Sequence, residues 1–272
     1  MPTLLEKAEA LRALHKGPRL LVFANVWDGA SARIVAKAGF PALATSSAAV
    51  AYVYGYPDGQ RITRDEMMEM VERIARAVPL PVSADVEAGY GESTEAAADT
   101  ARAVLVAGAV GINLEDTADD GRLLPLDRQV ERIRAARAAA EPLVINARTD
   151  VFGVEGIAPE GRMAEAVRRA NAYLAAGADC AFVPWVFDPE RITALVREVK
   201  GPLNVLVSPK SPPLAELERL GVRRASVGSG IARATYGLAA KIARELRDAG
   251  TYGSLAEGAI PYAEMQQILR QD

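Results

Sequence analysis

Short apolar runs alternate with longer amphipathic stretches along the 272 residues of the chain. The apolar runs are mostly uninterrupted, which is typical of strands that are covered on both faces, as parallel strands are. We therefore predict eight strands at residues 20–24, 42–45, 81–86, 110–115, 143–147, 180–184, 203–207 and 225–228.

The stretches between these runs have helical spacing and helix-capping residues. Thr63 followed three residues later by Glu66 is a capping box, and Asp188-Pro189 places an N-cap before a proline at the first helical position. Another helix is predicted over residues 162–176 and ends at Gly177. Each strand is thus followed by a predicted helix.

Eight strand–helix units in one chain of this length predict a single (β/α)₈ TIM-type barrel domain spanning residues 1–272. The alternative, an open doubly wound sheet, usually has a glycine-rich turn after its first strand, but residues 25–28 read NVWD. Residues 231–272 form a C-terminal helical extension with helices predicted at 231–249 and 254–269. One of these is the eighth barrel helix, and the extra helix is expected to pack on a partner subunit.

Charge and composition exclude several classes of function. The formal net charge is −3 and no basic tract is present, which argues against nucleic acid and anionic membranes as partners. No stretch of about 18 apolar residues is free of charge, so no membrane span is expected, and the charged N-terminus does not resemble a signal peptide. The single cysteine, Cys180, is expected to be a small buried residue, and it is compatible with a cytoplasmic location.

The single histidine also limits the possible chemistry. A zinc site with three histidines cannot be built, and a Ser-His-Asp triad would have to use His15. His15 lies in a polar predicted N-terminal helix, so we expect it to be a surface residue.

Acidic side chains gather where the predicted strands end. In a parallel barrel these carboxyl ends form the active-site rim. Asp85 and Glu87 end the third strand, Glu115 ends the fourth, and Asp58 follows the second on a loop. Four carboxylates placed together are costly unless a cation neutralises them, and oxygen ligands suit Mg²⁺ or Mn²⁺. The alternative is that these acids are helix caps or surface charges.

Other rim residues suit an anionic ligand. Arg148 ends the fifth strand and is expected to hold a carboxylate, or else to form a structural ion pair with Asp150 or Glu115. Residues 46–48 (SSA) are small enough to let backbone N–H groups approach an anion, or they form an ordinary tight turn.

Five motifs in order resemble the isocitrate lyase/phosphoenolpyruvate mutase superfamily. They are residues 44–47 (ATSS), 55–59 (GYPDG), 84–91 (ADVEAGYG), 113–116 (NLED) and 146–150 (NARTD). The resemblance spans roughly residues 20 to 235, and it is specific for the superfamily rather than for one reaction.

The resemblance implies a role for each of these rim residues. Asp85 would bind Mg²⁺ directly, and Asp58, Glu87 and Glu115 would bind its waters. The family usually has aspartate at the position of Glu87. The remaining residues would bind the substrate: Ser46, Ser47 and Ala48 its carboxylate and oxo oxygen, Arg148 a carboxylate, and Asn204 and Ser208 a second acidic group.

Two departures from the family leave the reaction open. The loop at residues 117–125 (TADDGRLLP) lacks the cysteine and histidine of the lyases and the lysine and asparagine of the phosphonate-forming mutases. Trp185 follows the sixth strand where methylisocitrate-type lyases have a glutamate. The proton donor is therefore open among Glu115, a tyrosine and a metal-bound water.

The resemblance predicts a Mg²⁺-dependent lyase or decarboxylase. It would cleave a C–C bond next to a 2-oxo or 2-hydroxy carboxylate through an enolate-like intermediate, with Arg148 and Glu115 as catalytic residues. The alternatives are phosphonopyruvate hydrolase or phosphoenolpyruvate mutase-like P–C chemistry, and a 2-oxo acid binder without turnover. The expected ligand is a small 2-oxo mono- or dicarboxylate. The expected assembly is a homodimer or homotetramer, in which the resemblance implies that the extra C-terminal helix is swapped with a partner subunit.

Overall fold

The computed structural model describes residues 2–270. In this part of the chain, eight parallel strands form one sheet in the order β1-β8-β7-β6-β5-β4-β3-β2. The strands are β1 (Leu21–Phe23), β2 (Leu43–Ala44), β3 (Val82–Asp85), β4 (Gly111–Glu115), β5 (Val144–Arg148), β6 (Cys180–Val183), β7 (Leu203–Leu206) and β8 (Arg224–Ser226). A parallel bridge between Val26 and Thr45 joins the segments that follow β1 and β2, which completes the ring. The predicted TIM-type barrel is confirmed.

Helices surround the strands and cover their outer faces. They are α1 (Leu4–Lys16), α2 (Gly29–Lys37), α3 (Ser47–Val53), α4 (Arg64–Ala77), α5 (Thr94–Val106), α6 (Leu126–Ala139), α7 (Arg162–Ala175), α8 (Pro189–Glu198), α9 (Leu214–Leu220), α10 (Gly230–Asp248) and α11 (Tyr262–Leu269). The capping box of Thr63 and Glu66 is present at the start of α4, and Asp188 caps α8 as predicted. None of the helices within residues 2–270 is long and apolar enough to cross a membrane.

Two local predictions differ from the structure. The small residues after β2 do not form a simple turn, because Ser46 caps the short helix α3. The last predicted helix, residues 254–269, is reduced to a 3₁₀ turn at Gly253–Ala256 and helix α11. Pro261 explains the second difference, since it lacks a backbone N–H and is tolerated only at the start of a helix.

The prediction that His15 is a surface residue is wrong. Its side chain is buried, with Nδ1 2.8 Å from the Leu11 carbonyl oxygen and Nε2 3.4 Å from Nη1 of Arg224. Arg224 is itself fully buried, and its guanidinium lies over the ring of Phe23 at 4.4 Å. Helix α1 packs against the barrel, so its last turn faces the interior instead of solvent. Cys180 is buried and free, as predicted.

The C-terminal extension packs unevenly. Helix α11 lies on α2, where Lys37 pairs with Glu264 at 2.9 Å and Arg33 donates to the Arg270 carbonyl oxygen at 2.6 Å. Along α10, in contrast, only Ala232 is buried. The expected packing on a partner subunit stays a prediction.

Candidate active site

Asp85 is held rigidly at the end of β3. Its Oδ2 accepts hydrogen bonds from the Ser47 backbone N–H (3.1 Å) and the Ser47 hydroxyl (2.8 Å), and its Oδ1 accepts one from Asn113 Nδ2 (3.4 Å). Its backbone N–H donates to the Thr45 hydroxyl. Because β2, β3 and β4 are neighbours, these contacts join three strand ends around a single carboxylate that is 8% exposed.

Glu87 is buried two residues further on, in a left-handed backbone conformation with φ +51°. The backbone N–H of Gln60 donates to Glu87 Oε2 at 2.5 Å, whereas no atom of residues 2–270 is a hydrogen-bond partner for Oε1. Burial and the nearby Asp58 carboxylate raise the pKa of Glu87 to about 7. Its uncompensated oxygen indicates that a partner outside the chain belongs at this point.

Asp58 and Glu115 complete the acidic group. Partial loss of solvent and the nearby Asp85 carboxylate raise the pKa of Asp58. Burial raises the pKa of Glu115 well above its usual value, Arg148 opposes this shift, and Asp85 and Glu87 add to it. The structure therefore brings the four predicted acids within electrostatic range of one another.

Arg148 lies on the other side of these acids and pairs with two carboxylates. Its Nη1 is 2.8 Å from Glu115 Oε2 and its Nε is 2.7 Å from Asp150 Oδ1. The guanidinium also lies over the Phe182 ring at 5.7 Å. The structural ion pairs considered from the sequence are thus both present. Neither of these two contacts involves Nη2.

The other predicted ligand-binding residues occupy different positions. Ser46 caps α3, Ser47 is bonded to Asp85, and Ala48 lies buried in the first turn of α3. Asn204 is fully buried in β7, and its Nδ2 has no partner within residues 2–270. Ser208 lies farther along in a partly exposed turn, where its hydroxyl accepts a bond from the Lys210 backbone N–H at 3.2 Å. Asn204 and Ser208 are therefore at different depths of the barrel.

Metal binding by many side chains at once does not fit this geometry. Across residues 2–270, no three His, Cys, Asp or Glu side chains are arranged to hold a metal ion together. A site with one direct carboxylate ligand and others acting through water remains compatible, because Mg²⁺ keeps several of its waters in proteins. The buried, unpartnered oxygen of Glu87 fits a metal-bound water as its donor.

Three site residues were not predicted from the sequence. Gln60, Tyr90 and Trp185 have positive φ values of 53°, 58° and 68°. Tyr90 and Trp185 lie in the loops that follow β3 and β6, whereas Gln60 lies in the loop between α3 and α4. Non-glycine residues in this conformation are uncommon and concentrate at functional sites. Gln60 joins three loops: its backbone bonds Glu87, its Oε1 accepts from the Tyr90 N–H at 2.6 Å, and its Nε2 donates to Asp119 at 2.7 Å. Nothing in the sequence around Gln60 indicates this role.

Trp185 is held at the rim by a close approach to Gly153. A Cβ atom on Gly153 would lie 2.7 Å from the indole Nε1. The Gly153 N–H donates to the carbonyl oxygen of Asp150, whose carboxylate binds Arg148. The half-exposed indole therefore lies beside the Arg148 ion pairs.

The fold and the group of four acids together define a TIM-barrel enzyme with an acidic site at the carboxyl ends of its strands. The family model described as phosphoenolpyruvate phosphomutase matches residues 11–247. The chain belongs to the phosphoenolpyruvate mutase/isocitrate lyase superfamily, which contains phosphoenolpyruvate mutases and carbon–carbon lyases, and the predicted family is confirmed.

Individual relatives carry different activities. An oxaloacetate decarboxylase of Rhodopseudomonas palustris is 32% identical over 231 residues, covering 81% of this chain and 77% of the relative. A solved structure from Burkholderia cenocepacia J2315, provisionally described as a phosphonomutase, is 44% identical with a TM-score of 0.82, covering 88% of this chain and 99% of that one. A phosphonopyruvate hydrolase solved with oxalate and Mg²⁺ is 26% identical with a TM-score of 0.84, covering 96% and 94%.

Proposed function

We propose that the protein is a Mg²⁺-dependent lyase or decarboxylase that cleaves a C–C bond next to a 2-oxo or 2-hydroxy carboxylate through an enolate-like intermediate. The observation that carries the proposal is the convergence of Asp58, Asp85, Glu87 and Glu115 at one mouth of the barrel, with Oε1 of Glu87 buried and unpartnered within residues 2–270. Such a group of acids is favourable only around a positive charge.

Asp85 is the residue that we assign to direct metal binding, because Ser47 and Asn113 already fix its orientation. Asp58, Glu87 and Glu115 would hold metal-bound waters. Bound Mg²⁺, or Mn²⁺ in its place, would supply Lewis-acid stabilisation of negative charge on the substrate oxygen. The complex of the related hydrolase with oxalate and Mg²⁺ supports this assignment.

Arg148 and Glu115 are the proposed catalytic side chains. The Nη2 of Arg148 would bind the substrate carboxylate, while its Nε and Nη1 stay on Asp150 and Glu115. Glu115 would transfer a proton near that carboxylate. Ser46, Ser47 and Ala48 would border the oxo group, and Asn204 and Ser208 would contribute to binding a second acidic group.

A second candidate is P–C chemistry of the phosphonopyruvate hydrolase or phosphoenolpyruvate mutase type. It is favoured by the family model and by the likeness to the phosphonopyruvate hydrolase. The loop at residues 117–125 does not distinguish C–C cleavage from P–C chemistry, because it has no cysteine, histidine, lysine or asparagine. A 2-oxo acid binder without turnover is the third candidate.

One assay separates the three candidates. The protein is incubated with Mg²⁺ and oxaloacetate, 2-methylisocitrate or phosphonopyruvate, and the formation of pyruvate and of phosphoenolpyruvate is followed. Mg²⁺ without protein and the Asp85→Ala variant correct for spontaneous decay. Pyruvate from either of the first two substrates supports C–C cleavage, and pyruvate or phosphoenolpyruvate from phosphonopyruvate alone supports P–C chemistry. Binding without either product from any of them supports the third candidate and overturns the first.

We also propose a homodimer or homotetramer in the cytoplasm. Exposed apolar residues on α10 and beyond it, including Leu246 (49%) and Leu255 (52%), support self-association. The buried free thiol of Cys180 is compatible with a reducing compartment.

A further inference from the structure

The hydroxyl of Tyr90 is buried at the acidic mouth and no atom of residues 2–270 is a hydrogen-bond partner for it. A buried hydroxyl without a partner destabilises a folded protein, because its hydrogen bonds to water are lost and not replaced. Almost all buried polar side-chain atoms in folded proteins are paired, so an orphan of this kind needs a reason. Here it lies in the same loop as the orphan oxygen of Glu87.

The backbone prevents Tyr90 from moving to a more favourable position. Tyr90 has φ +58° and lies between Gly89 (φ +85°) and Gly91 (φ +144°), so three consecutive residues adopt a conformation that favours glycine. Its N–H is bonded to Gln60 Oε1, and the carbonyl oxygen of Gly91 accepts a bond from Arg132 at 3.0 Å. These contacts maintain both the strained loop and the position of the ring.

The surroundings of the hydroxyl make it a hydrogen-bond donor. Burial, followed by the carboxylates of Glu87, Asp85 and Glu115, raises the pKa of Tyr90 above its usual range. The phenol therefore keeps its proton near neutral pH. None of the carboxylates accepts that proton in a hydrogen bond. A cavity of about 700 Å³, lined by residues 59–65, Tyr90, Gly91 and Asp119, opens beside this loop.

We propose that the Tyr90 hydroxyl donates a hydrogen bond to an anionic oxygen of the bound 2-oxo or 2-hydroxy carboxylate. The proposal rests on the proposed function, since it needs an anionic ligand at the acidic mouth. Tyr90 would be a ligand-binding residue in addition to residues 46–48 and Arg148. The Tyr90 hydroxyl then has a hydrogen-bond partner only when the ligand is bound. In the ligand-free protein it has none and lowers the stability.

The test is the variant Tyr90→Phe, which removes only the hydroxyl oxygen. Oxalate is the probe, with affinity measured by calorimetry in the presence of Mg²⁺ and thermal unfolding measured without oxalate. Loss of a hydrogen bond to a charged ligand is expected to weaken oxalate binding about 10-fold or more. Removal of an unpaired polar atom is expected to raise the ligand-free Tm by about 1–3 °C.

Tyr54→Phe is the matched control. The Tyr54 hydroxyl donates to the Glu66 carbonyl oxygen at 3.2 Å, so its loss should lower the Tm and leave oxalate affinity unchanged. Oxalate binding by Tyr90→Phe within two-fold of the unmodified protein overturns the inference, as does a fall in its ligand-free Tm. If the unmodified protein itself does not bind oxalate with Mg²⁺, the proposed function fails and the inference falls with it.

Discussion

At the scale of single residues, the site depends on charged groups that are only partly neutralised within the chain. Arg148 is the central cation, since Glu115 and Asp150 both pair with it. The sequence placed Arg148 and the acids at strand ends, because strand order and the position of the rim follow from the pattern. It could not show which guanidinium nitrogen each carboxylate binds, since that depends on side-chain rotamers.

Arg148→Ala should have two separable effects. It leaves two largely buried carboxylates unpaired, which is expected to destabilise the protein by about 3–5 kcal/mol. It also removes the proposed contact with the ligand carboxylate, which should weaken oxalate binding by about 2–5 kcal/mol. Urea unfolding measures the first effect and calorimetry measures the second. Oxalate affinity equal to that of the unmodified protein would remove Arg148 from the binding site.

His15 gives a pH dependence whose sign follows from its burial. Burial, followed by the charge of Arg224, lowers the pKa of His15 to about 4, from an unperturbed value of about 6.5. The Leu11 carbonyl and Asp179 oppose this shift, and Arg12 adds to it. The unfolded chain therefore takes up the proton first. Stability is fully present above about pH 6.5 and is lost as the pH falls towards 4, by about 3 kcal/mol in total.

The contribution of His15 is isolated by comparing the urea-unfolding free energy of the unmodified protein with that of His15→Gln between pH 7 and pH 4. The difference between the two proteins should change by about 3 kcal/mol across this range. If the unfolding free energies of the two proteins change equally between pH 7 and pH 4, the lowered pKa of His15 is contradicted.

At the scale of elements, the sequence pattern located the strands, but it missed the charged residue at which β8 begins. Strand β4 differs from the predicted 110–115 by one residue, whereas β8 begins at Arg224 before the predicted 225–228. A charged residue does not look like part of a buried strand, and Arg224 fits only because Asn113, His15 and the Phe23 ring receive it inside the barrel. Such long-range compensation is invisible in a local pattern.

The contact between Trp185 and Gly153 gives a prediction about the loops after β5 and β6. In Gly153→Ala, the added Cβ would overlap the indole, so the ring must move and stability should fall by about 1–3 kcal/mol. Tryptophan fluorescence in a Trp27→Phe background reports the movement of Trp185 alone. Gly161→Ala is the control, because a Cβ there meets nothing within 4 Å. Identical emission from the Gly153→Ala and Gly161→Ala proteins would contradict the close packing.

At the scale of the whole molecule, α10 is a long helix in which only Ala232 is buried. Light scattering should give two or four times the chain mass of 28.9 kDa, because apolar side chains such as Leu246 remain exposed in the single chain. The double variant Leu246→Glu/Leu255→Glu should shift the protein towards the single-chain mass. Val106→Glu changes an 88% exposed residue on α5 and should not. A monomer at micromolar concentration in the unmodified protein would contradict the prediction.

The barrel as a whole explains why the family and the grouping of the four acids could be predicted while the substrate could not. Parallel strands bring residues from distant positions to one mouth, so the order of motifs is enough to predict the acidic group. The positions of Tyr90, Trp185 and Gln60 depend on backbone conformations that no motif specifies. The unusual loop at residues 117–125 adds no titratable histidine or cysteine that would select one reaction.

The most direct test of a cation-dependent site at Asp85 is calorimetric titration of oxalate with and without Mg²⁺. The unmodified protein and Asp99→Asn, which changes a carboxylate on α5 whose side chain is 52% exposed, should bind oxalate only when Mg²⁺ is present. Asp85→Asn, in which the side chain keeps its shape but loses its charge, should show no Mg²⁺-dependent binding. Equal oxalate affinity in all three proteins, or binding that survives EDTA, would contradict the proposed metal site.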